Sequence, residues 1–269
     1  MKQNSLFMKT YAVEKITINL KNQRFMNQTA TLQKLEEMRL NGFSRIYRQM
    51  QETGINKDFT TDEIIAHLVQ AEWDDRYNRR LQRLITNARF RYQAGMEQID
   101  YVAKRNLDKV LMLRLSTGEW LSRKQNLIII GSTGLGKSFL ASALGHQACQ
   151  QGHKVYYRNC SKLFDELKIA KADGSYIKEI NSIEKMDLLI LDDFGLKPLD
   201  TNQRLMLLEL LEDRHGKRST IITSQLPVKS WYEVIGEPTI ADAILDRLVH
   251  SSHRIELDGD SLREKYKND

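Results

Sequence analysis

A chain of 269 residues with 41% hydrophobic residues, 3 prolines and 2 cysteines can hold one large domain, or a main domain with a smaller companion. No apolar run approaches the roughly 18 residues of a membrane span, and Cys149 and Cys160 have neither metal-ligand spacing nor the density of a disulfide scaffold, which predicts a reducing, cytoplasmic setting. The net charge of +6 is unevenly placed: residues 1–126 carry 22 Lys+Arg against 14 Asp+Glu (+8), and residues 127–269 carry 19 against 21 (−2), so a basic, polyanion-facing front is expected before a near-neutral remainder.

Residues 1–28 mix lysines with polar residues and read as a flexible extension. Thr31 is placed as the N-cap of a helix carrying Leu32, Leu35, Met38 and Leu40 and closed at Asn41-Gly42, with a second short helix over 43–51. Thr60-Thr61-Asp62-Glu63 caps a long helix on which Ile64, Ile65, Leu68, Trp73, Tyr77, Leu81 and Leu84 recur at helical spacing. Arg76, Arg79, Arg80 and Arg83 share a neighbouring face. Such a row can follow a phosphate backbone, and it can equally be a solvated face paired with Asp74 and Asp75. Arg89 and Arg91 follow, interleaved with Phe90 and Tyr92. The expected division is an extension over 1–28, a helical DNA- or partner-binding domain over 29–97, and an α/β domain over 98–269.

From residue 127 short apolar strands alternate with helices, the pattern of a parallel α/β sheet. Strands are expected at 127–130, 154–158, 186–192, 219–224 and 253–257, with helices over 137–151, 161–171, 201–215 and 241–249. Between the first strand and its helix stands Gly131-Ser132-Thr133-Gly134-Leu135-Gly136-Lys137-Ser138, followed by Phe139. Glycines let backbone N–H groups turn inward around phosphates, Lys137 supplies a mobile positive charge, and the Ser138 hydroxyl can ligate Mg²⁺. These nine residues are assigned to a nucleoside triphosphate.

The third strand ends in Asp192-Asp193, where Asp192 can hold Mg²⁺ through water and Asp193 can orient or deprotonate the attacking water. Thr223, Ser224 and Gln225 close the fourth strand, within expected reach of the γ-phosphate. Arg247 lies late on a helix, as a candidate to neutralise charge at a neighbouring subunit's nucleotide or as one half of an ordinary salt bridge.

Together these segments resemble the Walker A, Walker B, sensor-1 and arginine-finger elements of an AAA+ ATPase. Within that class, TLQKLEEMRLNG (31–42), AEWDDRYNRRLQR (71–83), LLILDDFG (188–195) and ILDRLVHS (244–251) resemble the IstB-like transposition helper proteins of bacterial insertion sequences, relatives of DnaC-type helicase loaders. The resemblance covers residues 27–264. It implies a five-stranded P-loop sheet behind a small all-α domain, ATP and Mg²⁺, slow DNA-stimulated hydrolysis, and subunits assembling on duplex DNA with ATP at their junctions and Arg247 completing the adjoining site. It also implies a partner transposase and, on a helix after the second strand, DNA contacts from Lys162, Lys168, Lys171 and Lys178.

The sequence departs from the family pattern in places. Asp193 stands where Glu is usual, Gln225 where many relatives place Asn, and either Ser224 or Gln225 is left as the sensor. Twelve residues after Leu257 make little or no helical lid, with Arg263 as a stand-in for its arginine. A DnaC-like helicase loader, a small-molecule P-loop kinase and a DNA-binding adaptor using ATP only structurally are the competing readings.

Overall fold

The computed structural model describes residues 28–54 and 59–262; of the extension expected over 1–28, residues 1–27 lie outside the described residues, as does Arg263. Contacts divide the chain into two compact units, one ending at Arg80 and one beginning at Leu81.

The first unit is helical: α1 (28–37), α2 (Asn41–Thr53) and the first turns of α3 (Thr61–Ala88). Two expectations are corrected here. Thr31 sits inside a helix already formed at residue 28, and Asn41-Gly42 opens α2 instead of closing α1. Arg39 makes the turn, in the left-handed region at φ 57°, while its N–H reaches Glu36 O at 2.9 Å and that of Leu40 reaches Leu35 O at 2.8 Å. The start of α2 has no side-chain cap of its own. Glu72 on α3 supplies one, accepting from Gly42 N at 2.9 Å and Phe43 N at 3.2 Å. A Cβ at Gly42 would lie 2.2 Å from Ala71 O, so this glycine permits a close helix crossing.

At the start of α3 the expected cap is present, with Thr60 N donating to Glu63 Oε2 at 2.7 Å and Glu63 N to Thr60 Oγ1 at 3.3 Å. Its apolar stripe divides. Leu68 is buried, whereas Ile65, Val69, Trp73 and Tyr77, spaced by four, are exposed. Periodicity marks a shared face without saying that anything covers it.

The second unit is built on five parallel strands, β1 (Asn126–Ile130), β2 (Val155–Asn159), β3 (Leu188–Phe194), β4 (Ser219–Ser224) and β5 (Ser252–Glu256), in the order β2-β3-β4-β1-β5. Helices α4 (Lys109–Ser116) and α5 (Glu119–Ser122) precede β1, and α6 (Lys137–Gln150) follows it. Then come α7 (Cys160–Asp173), α8 (Tyr176–Glu184), α9 (Thr201–Arg214), α10 (Trp231–Ile235) and α11 (Pro238–Val249). The five expected strands are all present.

Burial on both sheet faces explains their continuous apolar runs. Leu127 and Ile129 point into a core with Leu140, Leu144, Met112 and Ile190, against which Leu81, Leu84 and Phe90 pack. Ile128 and Ile130 point into a second core with Leu163, Leu207, Ile244 and Leu189. The side-chain period of two assigns alternate residues of β1 to opposite cores, and each fully buried Leu or Ile contributes about 1.5–3 kcal/mol.

Candidate nucleotide-binding site

The inner strand β1, between β4 and β5, releases the glycine loop at the carboxyl edge of the sheet. Gly134 and Gly136 sit at φ 90° and 84°, left-handed conformations that L side chains rarely adopt. The back of the loop is closed. A Cβ at Gly134 would meet Ser261 Oγ at 2.1 Å and one at Gly136 would meet Arg105 Nη1 at 2.6 Å. Buried Arg105 donates to Leu135 O at 2.8 Å and Leu262 N to Gly134 O at 3.0 Å. These braces come from residues far along the chain that carry no motif, and sequence reasoning missed them.

Lys137 opens α6 and its ammonium donates to Gly131 O at 2.7 Å and Ser132 O at 2.9 Å. The next residue, Ser138, donates to Asp192 Oδ1 at 2.8 Å. Asp192 is wholly buried and accepts from three further side chains: Thr223 Oγ1 at 2.5 Å, Tyr157 OH at 2.5 Å and Arg91 Nη1 at 3.2 Å. Four donors leave a buried carboxylate well satisfied. Burial, and then the neighbouring Asp192, push the Tyr157 phenol well above its ordinary pKa, so it stays a proton donor.

At Asp193 the strand bulges, with a register shift between Leu191 and Phe194 and φ 60°. Its N–H donates to Thr223 Oγ1 at 3.0 Å, and its carboxylate accepts from Arg91 Nη1 and Asn159 Nδ2, each at 3.2 Å. The bulge turns two successive carboxylates toward one site, where strict alternation would have sent them to opposite faces. Tyr157, Asn159 and Arg91 thus join the site although sequence reasoning gave none of them a role there, and Thr223, expected within reach of the γ-phosphate, bonds Asp192 and Asp193. Asn159, the polar last residue of β2 and in register with Asp192, was the available signal.

The two sensor candidates separate. Ser224 is wholly buried and donates to Phe194 O at 2.8 Å, whereas Gln225 accepts from Thr133 Oγ1 at 2.8 Å and borders the cleft. That cleft measures about 400 Å³, within the range of small-ligand sites. Lys137, Ser138, Asp193, Gln225 and Arg91 line it together with Tyr92, Gln98 and Phe139, and Leu135 is buried behind the loop. Positive and hydrogen-bonding groups for phosphates therefore share one cleft with aromatic and amide surface suited to a base. The hydroxyl of Ser138 and carboxylate of Asp192, 2.8 Å apart, are the hard oxygen donors that Mg²⁺ prefers, so the donor set fits that ion.

Arg247 is elsewhere. It lies on α11, donates to Ala243 O at 2.7 Å and pairs with Glu212 of α9. Its carbonyl accepts from Asn126 Nδ2 at 2.9 Å, at the first residue of β1, about 16 Å by strand rise from the loop at the other end. Of the α3 arginines, Arg76 pairs with Glu72 at 2.7 Å and Arg79 with Asp75 at 2.7 Å, while Arg80 and Arg83 are exposed. Lys162, Lys168 and Lys171 on α7 and Lys178 on α8 are exposed as well. No helix among the described residues is long and apolar enough to cross a membrane.

A parallel sheet whose inner strand β1 feeds a glycine loop, with Ser138 against a buried strand-end carboxylate, defines a P-loop nucleotide-binding protein of AAA+ architecture. Residues 33–269 match the family described as IstB-like ATP binding protein, and the chain belongs to that family. The insertion sequence ATP-binding protein y4pL of Sinorhizobium fredii is 46% identical over 237 residues, 88% of this chain and 97% of that one. The corresponding protein of insertion sequence IS21 from Pseudomonas aeruginosa is 29% identical over 87% of this chain and 88% of its own. Among solved structures, DnaI superposes with a TM-score of 0.54 at 19% identity, over 66% of this chain and 94% of that one. DnaA from Aquifex aeolicus, bound to AMPPCP, gives 0.53 at 18%, over 67% and 57%. These likenesses show a shared fold.

Proposed function

We propose that this protein is an ATP-dependent, self-assembling regulator that binds duplex DNA and assists a transposase in target selection and integration. The observation that carries the assembly reading is the separation of Arg247 from its own cleft: an arginine at the amino edge of the sheet can act on a nucleotide only in a second subunit. In that assembly Lys137 leaves the carbonyls of Gly131 and Ser132 for the β- and γ-phosphates. Ser138 and Asp192 hold Mg²⁺, which neutralises phosphate charge. Thr223 and Tyr157 keep Asp192 oriented, and Gln225 lies within reach of the terminal phosphate.

Asp193 orients the attacking water and takes its proton. It is one methylene shorter than the usual glutamate and already engaged by Arg91 and Asn159, so hydrolysis is slow and the protein works as a switch. DNA contacts are assigned to Lys162, Lys168, Lys171 and Lys178, which lie beside exposed Ile169 and Ile177, and separately to Arg80 and Arg83 on α3. The transposition role rests on relatives named as insertion sequence ATP-binding proteins. A strand-transfer assay with an insertion-sequence transposase tests it. Integration into target DNA should rise when protein and ATP are both added. Equal integration without them, with co-purification of a replicative helicase, would replace the reading by that of a loader.

A further inference from the structure

At the amino edge of the sheet, opposite the nucleotide cleft, Asn126, Thr220 and Ser251 border a cavity of about 260 Å³. Its lining holds five Lys or Arg and two His, and no Asp or Glu. Most of its arginines are already committed. Arg214, 1% exposed, donates to Ile183 O at 3.1 Å, Met186 O at 2.9 Å and Ser219 O at 2.5 Å. Arg218 pairs with Asp187 at 2.6 Å, Arg123 with Glu119 at 2.5 Å, and Arg247 with Glu212. Each of those acids stands outside the lining, so the cavity wall itself presents only positive and neutral groups.

Lys124 and the two histidines, His215 and His250, have no such commitment: all three are exposed and form no ion pair among the described residues. Lys124 is held at φ 58°, its N–H on Leu121 O at 3.1 Å. A left-handed lysine costs about 1–2 kcal/mol that glycine would avoid, so the side chain is kept against a local preference. Arg247 adds an independent sign of a missing ligand, since its Nε is buried with no hydrogen-bond partner.

We propose that Lys124 and His250 form, with Arg247, a phosphate-binding pocket that receives the nucleotide phosphates of a second copy of this chain. The inference rests on the trans-acting role given to Arg247. A cavity of about 260 Å³ admits terminal phosphates and is far too small for a duplex. Its position at the opposite edge of the sheet from the cleft is the arrangement that a head-to-tail assembly brings together.

The test is the double variant Lys124→Gln/His250→Gln; both positions are exposed, and an unchanged melting curve checks folding. A fluorescent ATP analogue should bind the dilute variant with unchanged affinity. ATP-dependent assembly, followed by mass photometry, should need about tenfold more protein, the loss of one charge-assisted contact. Mixing with Lys137→Ala should restore one junction and give a heterodimer that grows no further, because nucleotide held by the first variant then meets an intact pocket on the second, whose own cleft is empty. Unchanged assembly overturns the proposal, as does an equal loss of duplex affinity without nucleotide, which would give the pocket to DNA phosphates. Arg247→Ala run in parallel separates the two claims. If it alone impairs assembly, the pocket assignment falls; if only the double variant does, the pocket stands and the role given to Arg247 falls.

Discussion

Asp192 shows how much of this site is decided by single contacts. One guanidinium, Arg91, lies 3.2 Å from both Asp192 and Asp193, where a divalent ion would place its charge. Like charges at such separation repel even when screened. Arg91→Ala should therefore lower the Mg²⁺ concentration that half-saturates nucleotide binding by about fivefold, equivalent to ~1 kcal/mol; a raised requirement in a fluorescent-nucleotide titration would mean that Arg91 serves the phosphates instead. Tyr157→Phe removes the 2.5 Å donor to Asp192 while keeping the ring. The Mg²⁺ requirement should rise by about tenfold, ~1.5 kcal/mol for one hydrogen bond to a charged group, with metal-free nucleotide binding unaltered.

Among the elements, the α2–α3 crossing depends on Gly42. A Cβ there would stand 2.2 Å from backbone at Ala71, which cannot give way as a side-chain end can. Gly42→Ala should destabilise the first unit by about 2 kcal/mol despite alanine's better helix propensity, seen as faster amide exchange over residues 28–54. Glu72 caps α2 under related constraint. Burial works to raise its pKa, but hydrogen bonds from Arg76, Phe43 and Gly42 outweigh it and hold the carboxyl below the ordinary value. A depressed carboxylate contributes stability that is present above the unfolded pKa and lost as pH falls through the folded one. Strand placement was readable because apolar runs bounded by turns are local. The α2 cap was not, because Glu72 is 30 residues from Gly42 and only the crossing joins them. The misreading of Asn41-Gly42 has the same origin: glycine ends helices and also lets helices touch, and sequence alone does not separate the two uses.

For the whole molecule, the glycine loop and the acidic strand end were legible because phosphate binding needs fixed residue types at fixed spacing. What stayed hidden was supplied by topology. Placing β3 between β2 and β4 brings Tyr157, Asn159 and Thr223 onto the acid pair, and no local pattern announces that. Burial also settles the cysteines: it pushes the Cys149 and Cys160 thiols up to about 12, and Cys160 is further raised by Asp192 and Asp193. Iodoacetamide at mildly alkaline pH should leave both unmodified in the native protein and label both once it is unfolded. Rapid labelling without denaturant would show that the core opens locally.

The central claim is that nucleotide held by this loop switches assembly on DNA. Sedimentation velocity of the protein with a duplex, with and without ATP, compared with Lys137→Ala, tests it most directly. Wild-type protein should form fast-sedimenting DNA complexes only with ATP, and Lys137→Ala should form none under either condition. Equal assembly of the two proteins in ATP would contradict it.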